Sequence, residues 1–463
     1  MNQQGVRWTA EQVLALAPDA ASRKAGSKLG TAGPWSESGC DNSSVWGLCK
    51  GSGSRPYQTV VDTGGTGTGG TGAGGLGYKC SCPSRKFPCK HALGLLLLWA
   101  ADEQAVPAVA DGEVPGWAGQ WLRSRRERAE KKGDGAASPA EARTADPEAA
   151  RRRAEKRAER VTAGASELEQ RLEDLLRVGL AAAERPGYGL WEETAARMVD
   201  AQAPGLAGRV RELGAIPGSG PGWPVRLLEE CALLHLLDRA WLGRETLPDA
   251  LAATVRSRVG VPAPPQGPPV RDIWQVLAQY DTADAKLTTR RIWLYGRESG
   301  RAAMLLDFGA AGRAPELALP VGLAIDAELT PYPGGGQLRA ALGERFGAPL
   351  PAGGPPPGGT TGEALERYGR ALRDDPWLDA WPVTLSGVIP VPSGEGGGGG
   401  RWQLADPERD LALPVAAGAT DRAGLWKLVA LSGGGPVTVF GECGHRGFAP
   451  LAGWAEGEMV SLR

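Results

Sequence analysis

Three of the seven cysteines and one of the three histidines fall within twelve residues: Cys80-Ser81-Cys82, a six-residue spacer, then Cys89-Lys90-His91. A thiolate or a neutral imidazole is a good zinc ligand, and four such donors fill a tetrahedral site with no position left for water. Chemistry of that kind is structural rather than catalytic. Its binding energy is folding energy, on the order of 10–16 kcal/mol in zinc-finger peptides near neutral pH. Competing uses of the same residues fit less well. Cys-x-Cys neighbours bridge poorly as a disulfide, and redox pairs favour Cys-x-x-Cys, which the chain lacks. The other cysteines do not assemble a second site. Cys40 and Cys49 have no further ligands near them and are read as packing residues. Cys231 and His235, four apart among leucines, are read as core, and Cys443-Gly444-His445 as a structural pair. No Walker A motif, Gly-x-Ser-x-Gly elbow or His-Glu-x-x-His is present. With so few histidines no catalytic residue is assigned, and the expectation is a protein that is not an enzyme.

The elements that must position the four donors can be read locally. Residues two apart on an extended strand share a face, which would align Cys80 with Cys82. Pro83 then stops the strand because it has no amide hydrogen. Residues 84–88 form a basic turn. Cys89 and His91 come at the entrance of a helix, whose amino end stabilises thiolate charge, and the helix buries Leu93, Leu96 and Leu97. A preceding strand is expected at Tyr57-Gln58-Thr59-Val60-Val61-Asp62, which makes a β-β-α unit.

This segment resembles the SWIM zinc finger, whose pattern is Cys-x-Cys, a variable spacer and Cys-x-His on a β-β-α unit. All four ligand positions are matched, by Cys80, Cys82, Cys89 and His91. The flank Trp46-Gly47-Leu48-Cys49-Lys50-Gly51-Ser52-Gly53-Ser54 is similar to a family of bacterial SWIM-domain proteins. The resemblance implies a Zn2+ cofactor and a role in binding DNA or protein. Bacterial SWIM proteins of this kind are often encoded near MoxR-type AAA ATPases and von Willebrand A-domain (VWA) proteins, so it also implies an adaptor with such a protein partner.

The fold expected is an α+β multidomain chain: an N-terminal ββα finger, a central α-helical region and a C-terminal β-rich region. Residues 1–105 hold the finger, opened by a short helix from Thr9 to Ala17. A Gly/Thr-rich insert at 63–77 departs from the compact family form. Its Gly-x-Gly-x-x-Gly matches lead into a strand, not the helix that a dinucleotide site needs, so they are read as a flexible loop. Residues 106–165 read as a charged, partly helical linker. From Ser166 leucines recur at helical spacing, and helices are expected through 262 at Leu190–Ala203, Leu206–Leu213, Val225–Leu242 and Pro248–Arg258. Beyond a proline-rich hinge, residues 263–463 carry strands at Arg291–Tyr295, Ala302–Phe308, Leu319–Leu329, Val383–Val391, Trp402–Ala405, Trp426–Leu431 and Val437–Gly441, with a helix at Gly362–Asp374.

Composition narrows the partners. The chain has 463 residues, 52 basic and 53 acidic, for a net charge of −1, so any polyanion surface must be local. The basic finger turn supplies candidate contact residues, Arg85, Lys86 and Lys90. The adjacent stretch 123–160 supplies an arginine-rich arm that could meet nucleic acid phosphates. Met1 to Gln12 is polar, without the apolar core of a signal peptide, and the longest apolar run is far short of the ~20 residues a membrane span needs. A cytoplasmic protein away from the membrane is expected.

Overall fold

A computed structural model describes every residue except 1–6, 15, 18–19, 42, 52–54, 64–76, 85–87, 110–113, 138–146, 185–187, 262, 284–286, 311–314, 316, 337, 348, 394–400, 409, 419–421 and 456. The body of the Gly/Thr insert and the finger-turn residues Arg85, Lys86 and Phe87 therefore lie outside the described residues. The described residues form eleven α-helices and three antiparallel sheets, a mixed α+β architecture.

The first region opens with α1 (Ala10–Leu14) and α2 (Ala20–Ser27). Strands β1 (Trp35–Cys40), β2 (Ser44–Cys49), β3 (Tyr57–Asp62) and β4 (Gly77–Cys80) follow, then helix α3 (Lys90–Ala101). The sheet runs in the order β1-β2-β3-β4. The expected β-β-α unit is β3, β4 and α3. The Gly/Ser-rich segment before it, to which the sequence assigned no element, supplies β1 and β2. Thr9 does cap α1: its hydroxyl accepts from the Gln12 amide while Gln12 Oε1 accepts from the Thr9 amide, a capping box. The sheet is covered on both faces. Val45 pairs with Val61 and Trp46 with Val60, and the side-chain period of two sends these pairs to opposite sides. Val45 and Val61 join the α3 leucines, whereas Trp46 and Val60 join Ala118 and Leu122 of α4 (Gly116–Ala137). Gly94 in α3 lets the helix approach the end of α2, since a Cβ there would lie 2.5 Å from Leu29 Cβ.

The second region is helical: α5 (Pro147–Val178), α6 (Tyr188–Asp200), α7 (Pro204–Ala215), α8 (Trp223–Leu242) and α9 (Asp249–Val259). Leu168, Leu172, Met198, Leu206, Val210 and Leu234 are among its buried core residues. The charged stretch within 106–165, expected to be partly helical, contains α4 and the first half of α5, and α5 begins at Pro147, ahead of the Ser166 start expected for the helical region. Alanine, arginine, lysine and glutamate are strong helix formers, and the i,i+4 pairs Glu148–Arg152 and Arg151–Glu155 support this part of α5. Cys231 is buried as expected, but His235 is exposed and lies 3.8 Å from Glu169. At 100° per residue it falls about 100° from the middle of the α8 core stripe, on its rim.

The third region holds two six-stranded sheets. One is formed by β5 (Val270–Ala283), β6 (Leu287–Gly296), β7 (Ala302–Ala310), β8 (Leu323–Pro331), β9 (Ala340–Arg345) and β10 (Leu350–Pro351). Helix α10 (Thr361–Asp374) leads to the other, formed by β11 (Ala380–Ser393), β12 (Arg401–Asp406), β13 (Leu411–Pro414), β14 (Val437–Gly444), β15 (Gly447–Ala455) and β16 (Glu458–Ser461). Leu277, Trp293, Phe440 and Leu451 pack between them. The run Trp426–Leu431, read as a strand, is part of helix α11 (Arg422–Ser432). Short apolar runs do not reveal their period; here Leu428 enters the core while Trp426 is 58% exposed.

The regions share cores. Ala318 and Leu323 of the third region belong to the α3 cluster. Trp377 enters the helical core, donates from Nε1 to the Leu233 carbonyl at 2.9 Å and is flanked by an Arg258–Asp375 ion pair.

Candidate metal centre

Strand pairing, a bend and a helix start bring the four donors together. Cys80 is the last residue of β4, opposite Thr59 of β3, whose Oγ1 lies 3.3 Å from Cys80 Sγ. The strand ends there, earlier than the sequence suggests. Ser81 extends the pairing by one residue: its amide donates to the Gln58 carbonyl, and its hydroxyl accepts from the Gln58 amide, each at 3.0 Å. Cys82 follows in a bend, so a turn and not strand alternation carries it to the site. Cys89 is the N-cap of α3 with extended backbone. His91 sits in the first turn with Nδ1 3.6 Å from Cys80 Sγ. Its ring stacks at a tilt on Tyr57, centroids 4.8 Å apart.

The three sulfurs and the imidazole nitrogen lie within 4.8 Å of one another. Cys89 and His91 are buried, Cys80 and Cys82 half-buried. Hydrogen bonding from the Cys89 thiol, with help from His91 and Thr59, pulls Cys80 down to about 4. Burial pushes the Cys82 thiol up, and the charge on Cys80 adds to it. Cys89 is pushed up by its hydrogen bond to Cys80 and by burial. Like charges at this spacing repel, and a cation paired with each thiolate would offset that repulsion. Donor number, donor type and burial fit a closed four-coordinate metal site.

Other residues fall as follows. Lys90 is exposed at the first position of α3, while Arg85 and Lys86 lie outside the described residues. Cys49, in β2, is buried, and burial beside Cys80 pushes its thiol up to about 11, in keeping with packing. Cys40 is also buried. Cys443 is buried in β14 and His445 exposed, its Nδ1 3.4 Å from the Tyr368 hydroxyl. Among the described residues neither joins a metal cluster. Sequence reasoning missed Thr59 and Tyr57 as supports of the site. Both stand on the strand it did identify, and pairing β3 against β4 at Thr59 and Cys80 would have shown the first of them.

Comparison with known families agrees with this geometry. Residues 57–100 match the SWIM zinc finger, and residues 156–259 match the SWIM-associated four-helix bundle domain. The first match spans β3, β4 and α3, and the second begins within α5 and ends with α9. No curated protein and no solved structure matches the chain. Among the described residues no helix is long and apolar enough to cross a membrane.

Proposed function

We propose that this SWIM-type zinc finger protein is a non-enzymatic adaptor: zinc, held by Cys80, Cys82, Cys89 and His91, braces the finger, and the rest of the chain binds a protein partner in the bacterial cytoplasm. The ion is zinc because three thiolates and an imidazole in a closed set of four suit it best. The observation that carries the adaptor reading is the open face of α8. Val225, Leu228 and Leu236 stand on one side of the helix and are 62%, 48% and 46% exposed. An apolar stripe of this spacing is what a partner helix or groove covers. A MoxR-type AAA ATPase or a VWA protein is the partner to try first, given the genes that accompany similar bacterial proteins. The test is calorimetric titration of the zinc-loaded chain with such a purified protein. A complex that weakens at least tenfold in Val225→Asp/Leu228→Asp, with zinc content unchanged, supports the adaptor. Unchanged binding by that variant refutes the α8 surface.

A second reading, contact with nucleic acid, has its own observation. Arg153, Lys156 and Arg160 are exposed, lie on one face of α5 at i, i+3 and i+7, and make no ion pair among the described residues. With the exposed Lys90 they add positive charge to a chain of net charge −1. Phosphate contacts would make binding salt-dependent and nearly blind to sequence. A shift assay with random duplex and single-stranded DNA at two salt concentrations separates the readings. Salt-sensitive binding lost in Arg85→Ala/Lys86→Ala/Lys90→Ala favours the nucleic acid. No shift at low salt rejects it.

A further inference from the structure

We infer that the third region carries a binding site for a small organic anion, a planar ring bearing one phosphate or carboxylate, in the cleft where its two sheets meet α10. The cleft is a cavity of about 310 Å³, at the small end of the roughly 300–1,000 Å³ that ligand sites occupy, and it sits at a junction between layers, where such sites concentrate. Its lining combines two kinds of chemistry. Tyr295 of β6, Trp381 of β11 and Phe440 of β14 supply aromatic surface. Arg301, just before β7, and Arg367 of α10 supply two guanidiniums. Among the described residues the lining holds no carboxylate, and neither arginine forms an ion pair.

The charge balance points to an anion. Some arginines of the region are engaged, Arg271 with Asp326, Arg290 with Asp281, Arg291 with Glu442 and Arg370 with Glu366, whereas the two on the cleft form no ion pair among the described residues. Two arginines on one cavity, neither with an ion pair among the described residues, offer donors suited to phosphate or carboxylate oxygens. The aromatic walls then take the ring, and a guanidinium can also stack on it. Thr384, buried on β11, adds a short hydroxyl side chain to the lining. The cleft is kept open by backbone. Gly336 lines it with φ of +72°, and a Cβ there would lie 3.2 Å from the Trp381 ring.

The experiment is calorimetric titration of the full zinc-loaded chain with AMP, 4-hydroxybenzoate, adenosine and inorganic phosphate. One of the first two is expected to bind one-to-one with Kd below about 1 mM. AMP as the winner assigns a phosphate source, 4-hydroxybenzoate a carboxylate source. Adenosine and inorganic phosphate are each expected to bind at least tenfold more weakly than the winner. Arg301→Ala and Arg367→Ala, both at exposed positions, should each cost about tenfold or more in affinity with an unchanged melting temperature. Trp381→Leu should cost a similar factor. No saturable heat from either full ligand overturns the site. Equal binding of adenosine, equal binding of inorganic phosphate, or arginine variants that bind like the parent also overturns it.

Discussion

At the residue scale the feature that matters most is the cluster of four donor atoms, Cys80, Cys82, Cys89 and His91, within 4.8 Å of one another. Cys82→Ser removes one sulfur from the set. Elemental analysis of the purified variant should show zinc falling from about one per chain toward zero, with the finger destabilised by several kcal/mol, since metal affinity is folding energy. Lowering the pH should release zinc from the parent protein, because protons compete for the thiolates and the imidazole. A chelator titration followed by a zinc dye at successive pH values should give weaker retention at each step down. Near the site, Tyr78 of β4 has a buried hydroxyl with no hydrogen-bond partner among the described residues, and burial pushes its phenol up. Tyr78→Phe removes that desolvated group and keeps the ring. A denaturant midpoint equal to or above the parent's, by up to about 1–3 kcal/mol, is expected. A clear loss would mean that the hydroxyl is bonded after all.

At the element scale, two helices carry the tests. Gly94→Val puts branched atoms where α3 already meets Leu29. Overpacking of this kind costs about 1–3 kcal/mol, and the loss should appear as a lower melting temperature at full zinc loading. In α8, Asp238 is fully buried, and among the described residues neither carboxylate oxygen has a partner. Burial, with the charge of Glu169, raises it to about 8. An unfolded aspartate ionises near 4, so between about pH 4 and 8 the unfolded chain releases a proton that the folded chain keeps. Its contribution to stability is therefore fully present below about pH 4, declines by at most about 1.4 kcal/mol per pH unit across that window, and is flat above it. Asp238→Asn should flatten this part of the profile, and Asp238→Leu should stabilise the bundle at neutral pH. Urea midpoints at pH 5 and pH 8 measure both.

At the scale of the whole molecule the three regions are coupled through a few side chains. Trp377 belongs to the chain of the β-rich region yet completes the core of the helical one. Trp377→Ala should cost about 3–5 kcal/mol and make the helical region the first to be cut in limited proteolysis, while zinc content stays the same. The finger is fastened in a comparable way, by Asp62 of β3 paired with Arg125 of α4 at 3.0 Å and by the packing of Ala318 and Leu323 against its core. Lys90 remains exposed on this docked finger.

Local information was enough for the cluster of four candidate donors, the β-β-α unit and most helices. Ligand chemistry is carried by residue type and short spacing, and an amphipathic helix announces its period. Three kinds of feature were settled only by the assembled molecule. The strands β1 and β2 come from a Gly/Ser-rich stretch with little strand signal, and they form because α3 and α4 cover both faces of one sheet. The same packing logic turned Trp426–Leu431 into a helix and left His235 on a rim, since burial depends on neighbours far away in the chain. The cleft that brings Arg301, Arg367 and Trp381 together has no trace in any local pattern: its walls run from Leu277 of β5 to Phe440 of β14, and only long-range contacts can bring such residues together.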